Sequence, residues 1–177
     1  MSIDERPKVV DEKTRIGDWE IDTVIGKGHS GALVTVVERV TKFTLSAQVA
    51  NKSAELVMAA TIRLLMPFAG AVHTITADNG KEFAYHQQIT AALKATVYFC
   101  HPYCSWQRGL NENTNGLLRQ YFPKSTNFKL IGQREVDIAV DKLNRRPRKT
   151  LNFKTPQYLM SEYLASIKGL GGDALRC

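Results

Sequence analysis

Three acidic side chains stand in a spacing that suits metal-assisted phosphoryl chemistry. Asp22 falls within DWEIDTVIG, Asp78 within HTITADNGKEF and Glu112 within RGLNENTNGLLRQYF, with 33 residues between the second and the third. Three carboxylates brought together can hold two divalent ions, and such a pair can cut or join a phosphodiester. Each acid also has an ordinary explanation. Asp18, Glu20 and Asp22 alternate along one strand and could line a solvated sheet face. Asp78-Asn79-Gly80 is a common turn. Glu112 opens a helix, where a carboxylate is favoured by the helix dipole. Spacing alone does not choose among Asp18, Glu20 and Asp22.

The elements that must position these acids follow from hydrophobic period. Trp19 to Ile25 reads as a strand, ALVTVVERV as a second and FTLSAQVA as a third, joined by short connections that imply an antiparallel meander. GKGHSG between the first two matches GxGxxG, but a strand follows it, so we expect a flexible hairpin and no dinucleotide site. From a Ser53 cap, Val57, Ala60, Thr61, Leu64, Leu65 and Phe68 form one apolar helix face. A short strand over 73–77 precedes the Asp78 turn. A helix over 82–94 and a strand over 96–99 come next. The following helix spans about Leu110 to Phe122, with Leu110, Thr114, Leu117, Leu118 and Tyr121 as its buried stripe. Glu112, Asn115 and Arg119 share a polar face, a grouping suited to a metal with a bound phosphate. A helix over 134–144, the basic run NRRPRK and a last helix opened by Thr155-Pro156 complete the chain. This order predicts a mixed-sheet α/β plan.

Composition narrows the function. The 177 residues suit one domain and carry a net charge of +7 with pI near 9.4, which favours an anionic partner such as nucleic acid. Residues 1–22 hold seven acids and four bases; residues 102–154 hold eleven bases and four acids. A phosphate-binding surface therefore belongs to the carboxy-terminal half. Three cysteines argue against a disulfide framework and fit a reducing compartment. Cys100-His101-Pro102-Tyr103-Cys104 lacks a second pair at zinc spacing. The amino terminus has no apolar signal region, and the uncharged stretch from Leu64 to Ala77 is broken by Pro67 and Gly70, so no membrane span is expected.

With these residues in view, the chain resembles the DDE transposases of bacterial insertion sequences, in particular the IS-thirty family with its integrase-like catalytic core. The matching segments are GDWEIDTVIGKG, ALVTVVERVTKFTL, TITADNGKEFA, HPYCSWQRGLNENTNGLLRQYFPK, LNRRPRKTL and FKTP, and they run from about residue 17 to residue 156. The resemblance implies a ribonuclease H-like fold, with a mixed five-stranded sheet flanked by helices. It picks Asp22 as the first acid, Asp78 as the second and Glu112 as the third, serving as catalytic residues and as ligands for two Mg²⁺ ions, with Mn²⁺ as a substitute. Asp22 would bridge the ions, Asp78 complete one site and Glu112 the other. Supporting or DNA-contacting positions under this reading are Asn79, Arg108, Asn115, Arg119, Lys124, Arg145, Arg146, Arg148 and Lys149. Tyr103 and Trp106 are candidates for stacking on a base.

The implied partners are DNA, as transposon ends and target, and further copies of the chain in a dimer or larger synaptic assembly, in the cytoplasm at the nucleoid. The implied activity is phosphodiester cleavage at transposon ends followed by strand transfer. Residues 1–16 are expected as an irregular lead-in, 17–167 as the catalytic core and 168–177 as a mobile tail. Such transposases carry amino-terminal helix-turn-helix regions, and here Met1 precedes the first acid by only 21 residues. The chain is therefore expected to be an excised core or a truncated reading frame. An inactive regulator that binds DNA or full-length transposase is the alternative.

Overall fold

Five strands form one mixed sheet in a computed structural model that describes residues 1–102 and 104–172. They are β1 (Asp18–Ile25), β2 (Ala32–Glu38), β3 (Thr44–Val49), β4 (Thr74–Ala77) and β5 (Thr96–Phe99), in the spatial order β3-β2-β1-β4-β5. The first three are antiparallel, as the meander reading expects, with Asp22 opposite Thr35. β4 lies parallel to β1, and β5 parallel to β4. Helix α2 (Ala54–Leu65) provides the crossover that a parallel strand requires, and α3 (His86–Leu93) carries the chain from β4 to β5.

Each face of the sheet packs its own core. Trp19, Ile21, Val34, Val36 and Ile75 meet α2 and α3 on one side, joined by Met160 of α6 (Pro156–Gly172). Val24 and Leu33 meet Leu118 of α4 (Gly109–Leu118) and Val136, Val140 and Leu143 of α5 (Gln133–Asn144) on the other. The segment Ala54–Ala71 is long and apolar enough to pass for a membrane span, with mean hydropathy 1.4, which the sequence reading did not expect. In this fold Val57, Ala60, Thr61 and Leu65 of α2 are buried, and 28% of the segment is buried in all.

Several expectations need correcting. Residues 1–16 are not irregular: a 3-10 turn (Ile3–Glu5) and helix α1 (Lys8–Glu12) dock on the sheet, with Ile3 and Val10 buried. The Arg6 guanidinium donates to Thr76 Oγ1 at 2.9 Å, and the Phe99 N–H to the Met1 carbonyl at 2.9 Å. Polar composition hid this, because the anchoring groups are charged side chains and backbone rather than an apolar stripe. The helix of residues 156–172 runs past the expected boundary at 167; residues 173–177 and Tyr103 lie outside the described residues.

The GKGHSG hairpin is pinned. Lys27 N–H donates to the Thr126 carbonyl at 2.8 Å and Phe128 N–H to the Ser30 carbonyl at 3.0 Å. Gly31 (φ +75°) packs so closely on Phe128 that a Cβ there would stand 2.9 Å from Phe128 Cβ. Ser53 occupies its cap position without a side-chain cap bond. Helix α4 ends at Leu118, four residues before the expected stop. Its fully buried polar member is Asn111, while Tyr121 is exposed.

Candidate active site

The alternation that makes Asp18, Glu20 and Asp22 look alike in sequence ends in three different environments. β1 is the middle strand of the sheet, and this face is covered at Asp18 and Glu20. Asp18 is 1% exposed; Arg15 grips it at 2.8 and 3.1 Å, and Thr74 Oγ1 donates to it at 2.7 Å. Glu20 is 2% exposed, paired with Arg39 at 2.6 Å and accepting the Asn111 N–H at 3.0 Å. Both carboxylates are engaged in the framework. Asp22 lies further along the strand, where the cover opens. The geometry therefore separates Asp22 from its neighbours on grounds that pattern could not supply.

Asp22 and Asp78 converge on one guanidinium. Arg108 contacts Asp22 Oδ2 at 3.2 Å and Asp78 Oδ2 at 2.8 Å. It also donates to the Ile21 carbonyl at 3.3 Å. The parallel register of β1 and β4 produces this meeting: Glu20 pairs with Thr76, so two residues further on Asp22 comes level with Asp78. The Asp78 turn is also real: Gly80 N–H donates to Asp78 Oδ1 at 2.9 Å. Asn79 donates its amide to the Cys100 carbonyl, tying the turn to the end of β5. Turn and site are one structure.

Asn115 links the acid to the helix. Its Nδ2 donates to Asp22 Oδ2 at 3.0 Å, and its Oδ1 accepts from Thr35 Oγ1 at 3.0 Å. These two bonds settle the amide orientation and clamp α4 to β1 and β2. Burial pushes the Asp22 carboxyl up from its usual range; Arg108 pulls it back down, while Asp78 pushes it further up. A cavity of about 290 Å³ opens over Asp78, Cys100 and Arg108.

Glu112 does not join the pair. It is exposed, one turn from Arg108 and on the same side of α4 as Asn115, and makes no hydrogen bond or ion pair to a described side chain. Among the described residues no three His, Cys, Asp or Glu side chains are grouped closely enough to hold a metal ion.

Other expected residues take different posts. Arg119, expected on one polar face with Glu112 and Asn115, donates to the Ile25 carbonyl at 2.8 Å and caps the end of β1. Arg145 pairs with Asp141 at 2.8 Å on the surface. Arg146, Lys149 and Lys124 are exposed, and Arg148 donates to the Leu143 carbonyl at 3.3 Å. Trp106 contributes no described side chain.

Glu82 was passed over in sequence. It accepts from Thr23 Oγ1 at 3.1 Å beside Asp22, pairs with Lys52 at 3.4 Å, and approaches Asp78 across Gly80. A Cβ on Gly80 would stand 2.4 Å from Glu82 Oε2 and 2.8 Å from Asp78 Oδ1, so only glycine lets both carboxylates close in. The DNGKE spacing was the available signal.

An acid within β1 and an acid just past the end of β4 stand level across the parallel pair with a guanidinium between them, and α4 carries a third acid alongside. Solved structures share the fold. A chain of the simian T-cell lymphotropic virus intasome superposes with a TM-score of 0.68 at 20% identity, covering 81% of this chain and 53% of its own. The catalytic core domain of BIV integrase gives 0.62 at 20%, covering 85% and 98%.

The integrase core domain family matches residues 13–105, just over half of the chain, and the protein belongs to that family. Curated relatives include transposases of insertion sequences. That of insertion sequence element IS4351 from Bacteroides fragilis is 47% identical over 156 residues, 88% of this chain and 48% of the relative. That of IS1086 from Cupriavidus metallidurans is 41% identical, covering 94% and 49%. InsI of IS30A from Escherichia coli K12 is 40% identical, covering 92% and 43%. The chain thus spans about half the length of the relatives it matches. Enzymes of this family generally depend on a divalent metal.

Proposed function

We propose that this chain is the catalytic core of a DNA transposase, which hydrolyses a phosphodiester at a transposon end and joins the freed strand to target DNA. The observation that carries the reading is the convergence of Asp22 and Asp78 on one positive charge, within an integrase core whose relatives are transposases. In the first step water attacks the phosphorus, the P–O3′ bond breaks, and the leaving oxygen takes a proton as the 3′-hydroxyl. In the second step that hydroxyl attacks a target phosphorus and displaces the target's own 3′ oxygen. No covalent protein–DNA link is needed.

The donor set fits hard divalent ions. Oxygen ligands from carboxylates suit Mg²⁺ or Mn²⁺, and the guanidinium held by Asp22 and Asp78 marks a position where these acids already favour a cation. Asp22, Asp78 and Glu112 would hold the ions, which when bound supply Lewis acidity toward the attacking and leaving oxygens. Asn115 orients Asp22 by its short amide bond and fixes the helix that carries Glu112. Lys124, Arg145, Arg146, Arg148 and Lys149 supply positive charge for the DNA backbone; Asn79 holds the Asp78 turn in place. Arg119 fixes the β1 end, while Arg108, held between Asp22 and Asp78, would be available to a phosphate if those acids held an ion. DNA ends and target are the substrates, and a dimer or larger assembly of copies brings two ends together in the cytoplasm.

The test is Mg²⁺- or Mn²⁺-dependent nicking and joining of an end-bearing oligonucleotide by the wild-type chain, Asp78→Asn and Glu112→Gln. Loss of at least a hundredfold in each variant, with unchanged thermal melting, is expected. Equal rates in all three proteins would refute the assignment.

A further inference from the structure

A second cavity lies on the same sheet face as Asp22 but away from the acidic pair. Its volume is about 500 Å³, and its walls carry Lys13, Arg39, Lys42, Arg148 and Lys149 against a single carboxylate, Glu20. That carboxylate is already bound by Arg39 and by the Asn111 N–H, and Lys42 feels it and buried Glu38 only at longer range, with no ion pair to either. Lys13, Lys42, Arg148 and Lys149 form no ion pair with a described residue. Lys42 donates to the Arg39 carbonyl, which turns its ammonium into the basic cluster. Arg148 keeps a buried Nε without a partner.

We propose that this cavity binds a phosphate group of the nucleic-acid strand that passes the acidic pair, a subsite separate from the reacting phosphate. Burial pushes the Lys42 ammonium down, and the like charge of Lys13 adds to that; burial and Arg146 do the same to Arg148. An anion between these groups relieves both effects. Position favours a strand over a free ion. Glu20 at the cavity lies two residues before Asp22 on β1, about 7 Å at a strand's rise per residue. Two base steps along a nucleic-acid strand advance by about the same length. Gly109 and Asn113 of α4 line the cavity, while Asn115 of the same helix holds Asp22. One helix therefore registers both places.

The inference rests on the DNA reading above and assigns it a particular contact. The test uses the full chain with Lys13→Glu and Lys149→Glu combined, both exposed positions, beside a control pair, Arg63→Glu and Lys94→Glu, exposed and outside the cavity. Affinity for a duplex oligonucleotide is measured between 50 and 200 mM salt, as roughly the range over which counterion release is read. The cavity pair should weaken binding roughly tenfold and make the salt slope shallower by about one, with the control pair nearer wild type. An unchanged slope, or an equal loss in the control pair, overturns the subsite. Competition by inorganic phosphate and tripolyphosphate separates the two sources. If either binds the wild type as tightly as the oligonucleotide and loses that binding in the cavity pair, the cavity is a free-anion site and the strand assignment fails. Mg²⁺-dependent nicking of the same oligonucleotide is scored in parallel. Nicking with an unchanged slope sinks the subsite alone; a changed slope without nicking sinks the transposase reading and keeps the subsite.

Discussion

Replacing Arg108 with alanine removes the cation held by both Asp22 and Asp78, and its consequences can be worked from the contacts. The guanidinium lies 3.2 Å from one carboxylate and 2.8 Å from the other, and those side chains are 22% and 39% exposed. A charge pair at such range is worth from about 1 kcal/mol in water to about 4 kcal/mol near a protein surface. Exposure places these pairs toward the lower end, so about 1 kcal/mol each and about 2 kcal/mol together. A divalent ion entering the wild-type site must displace that interaction; in Arg108→Ala it need not. The variant should therefore bind Mn²⁺ about 30-fold more tightly, at 1.4 kcal/mol per tenfold, while being less stable than wild type without the ion. Because burial already lifts the Asp22 carboxyl and Arg108 opposes the lift, the variant's Asp22 titrates higher still, and its ion binding should fade at a higher pH as acidity increases. Isothermal titration with Mn²⁺, with denaturation followed with and without ion, reads both effects. Arg108→Lys, which keeps the charge, should stay near wild type. A Mn²⁺ affinity in Arg108→Ala equal to or weaker than wild type would refute the view that the arginine holds the place of a metal.

Three further outcomes follow from the framework. Glu38 is buried and accepts from Gly17 N–H, Val40 N–H, Thr41 N–H and Thr41 Oγ1, yet burial pushes its carboxyl up on balance. Its folded pKa thus exceeds the unfolded one, so its stabilising contribution is complete below the unfolded value and lost as pH rises through the folded value. Glu38→Gln should flatten that part of the urea-stability profile between acid and neutral pH, and an unchanged profile shape would contradict it. Leu118 is fully buried between α4 and the sheet; Leu118→Ala should lower unfolding free energy by about 2–5 kcal/mol, read as a shifted urea midpoint at constant slope. Gly31→Ala forces a side chain into positive φ against Phe128 and should lose about 1–3 kcal/mol in the same assay, whereas alanine at Gly28, where a Cβ meets nothing within 4 Å, should lose less.

How far the sequence reached is clearest at individual residues. The strand and helix order was legible because hydrophobic period is a local property. Trp19 and Ile21 alternate with acids as a two-sided strand must, and Val57, Ala60 and Thr61 recur as a helix face must. The family was legible because a long stretch around Glu112 carries it. Asp22 was chosen over Asp18 and Glu20 by that resemblance, and β1 pattern alone would have left the three equal.

What the tertiary structure decided is the company each charge keeps. Partners of Asp18 and Glu20 include Thr74 and Arg39, 56 and 19 residues away, and period cannot reveal contacts at such separations. The amino-terminal segment looked irregular because its docking relies on an arginine and backbone groups, which carry no apolar signature. Spacing along the chain could not show that Asp22 and Asp78 meet at Arg108 through the β1–β4 register while Glu112 stands exposed on α4. Sequence determined which residue types are present and in what order. The fold determined which are engaged in holding it and which remain available for chemistry, because that division depends on distance and burial.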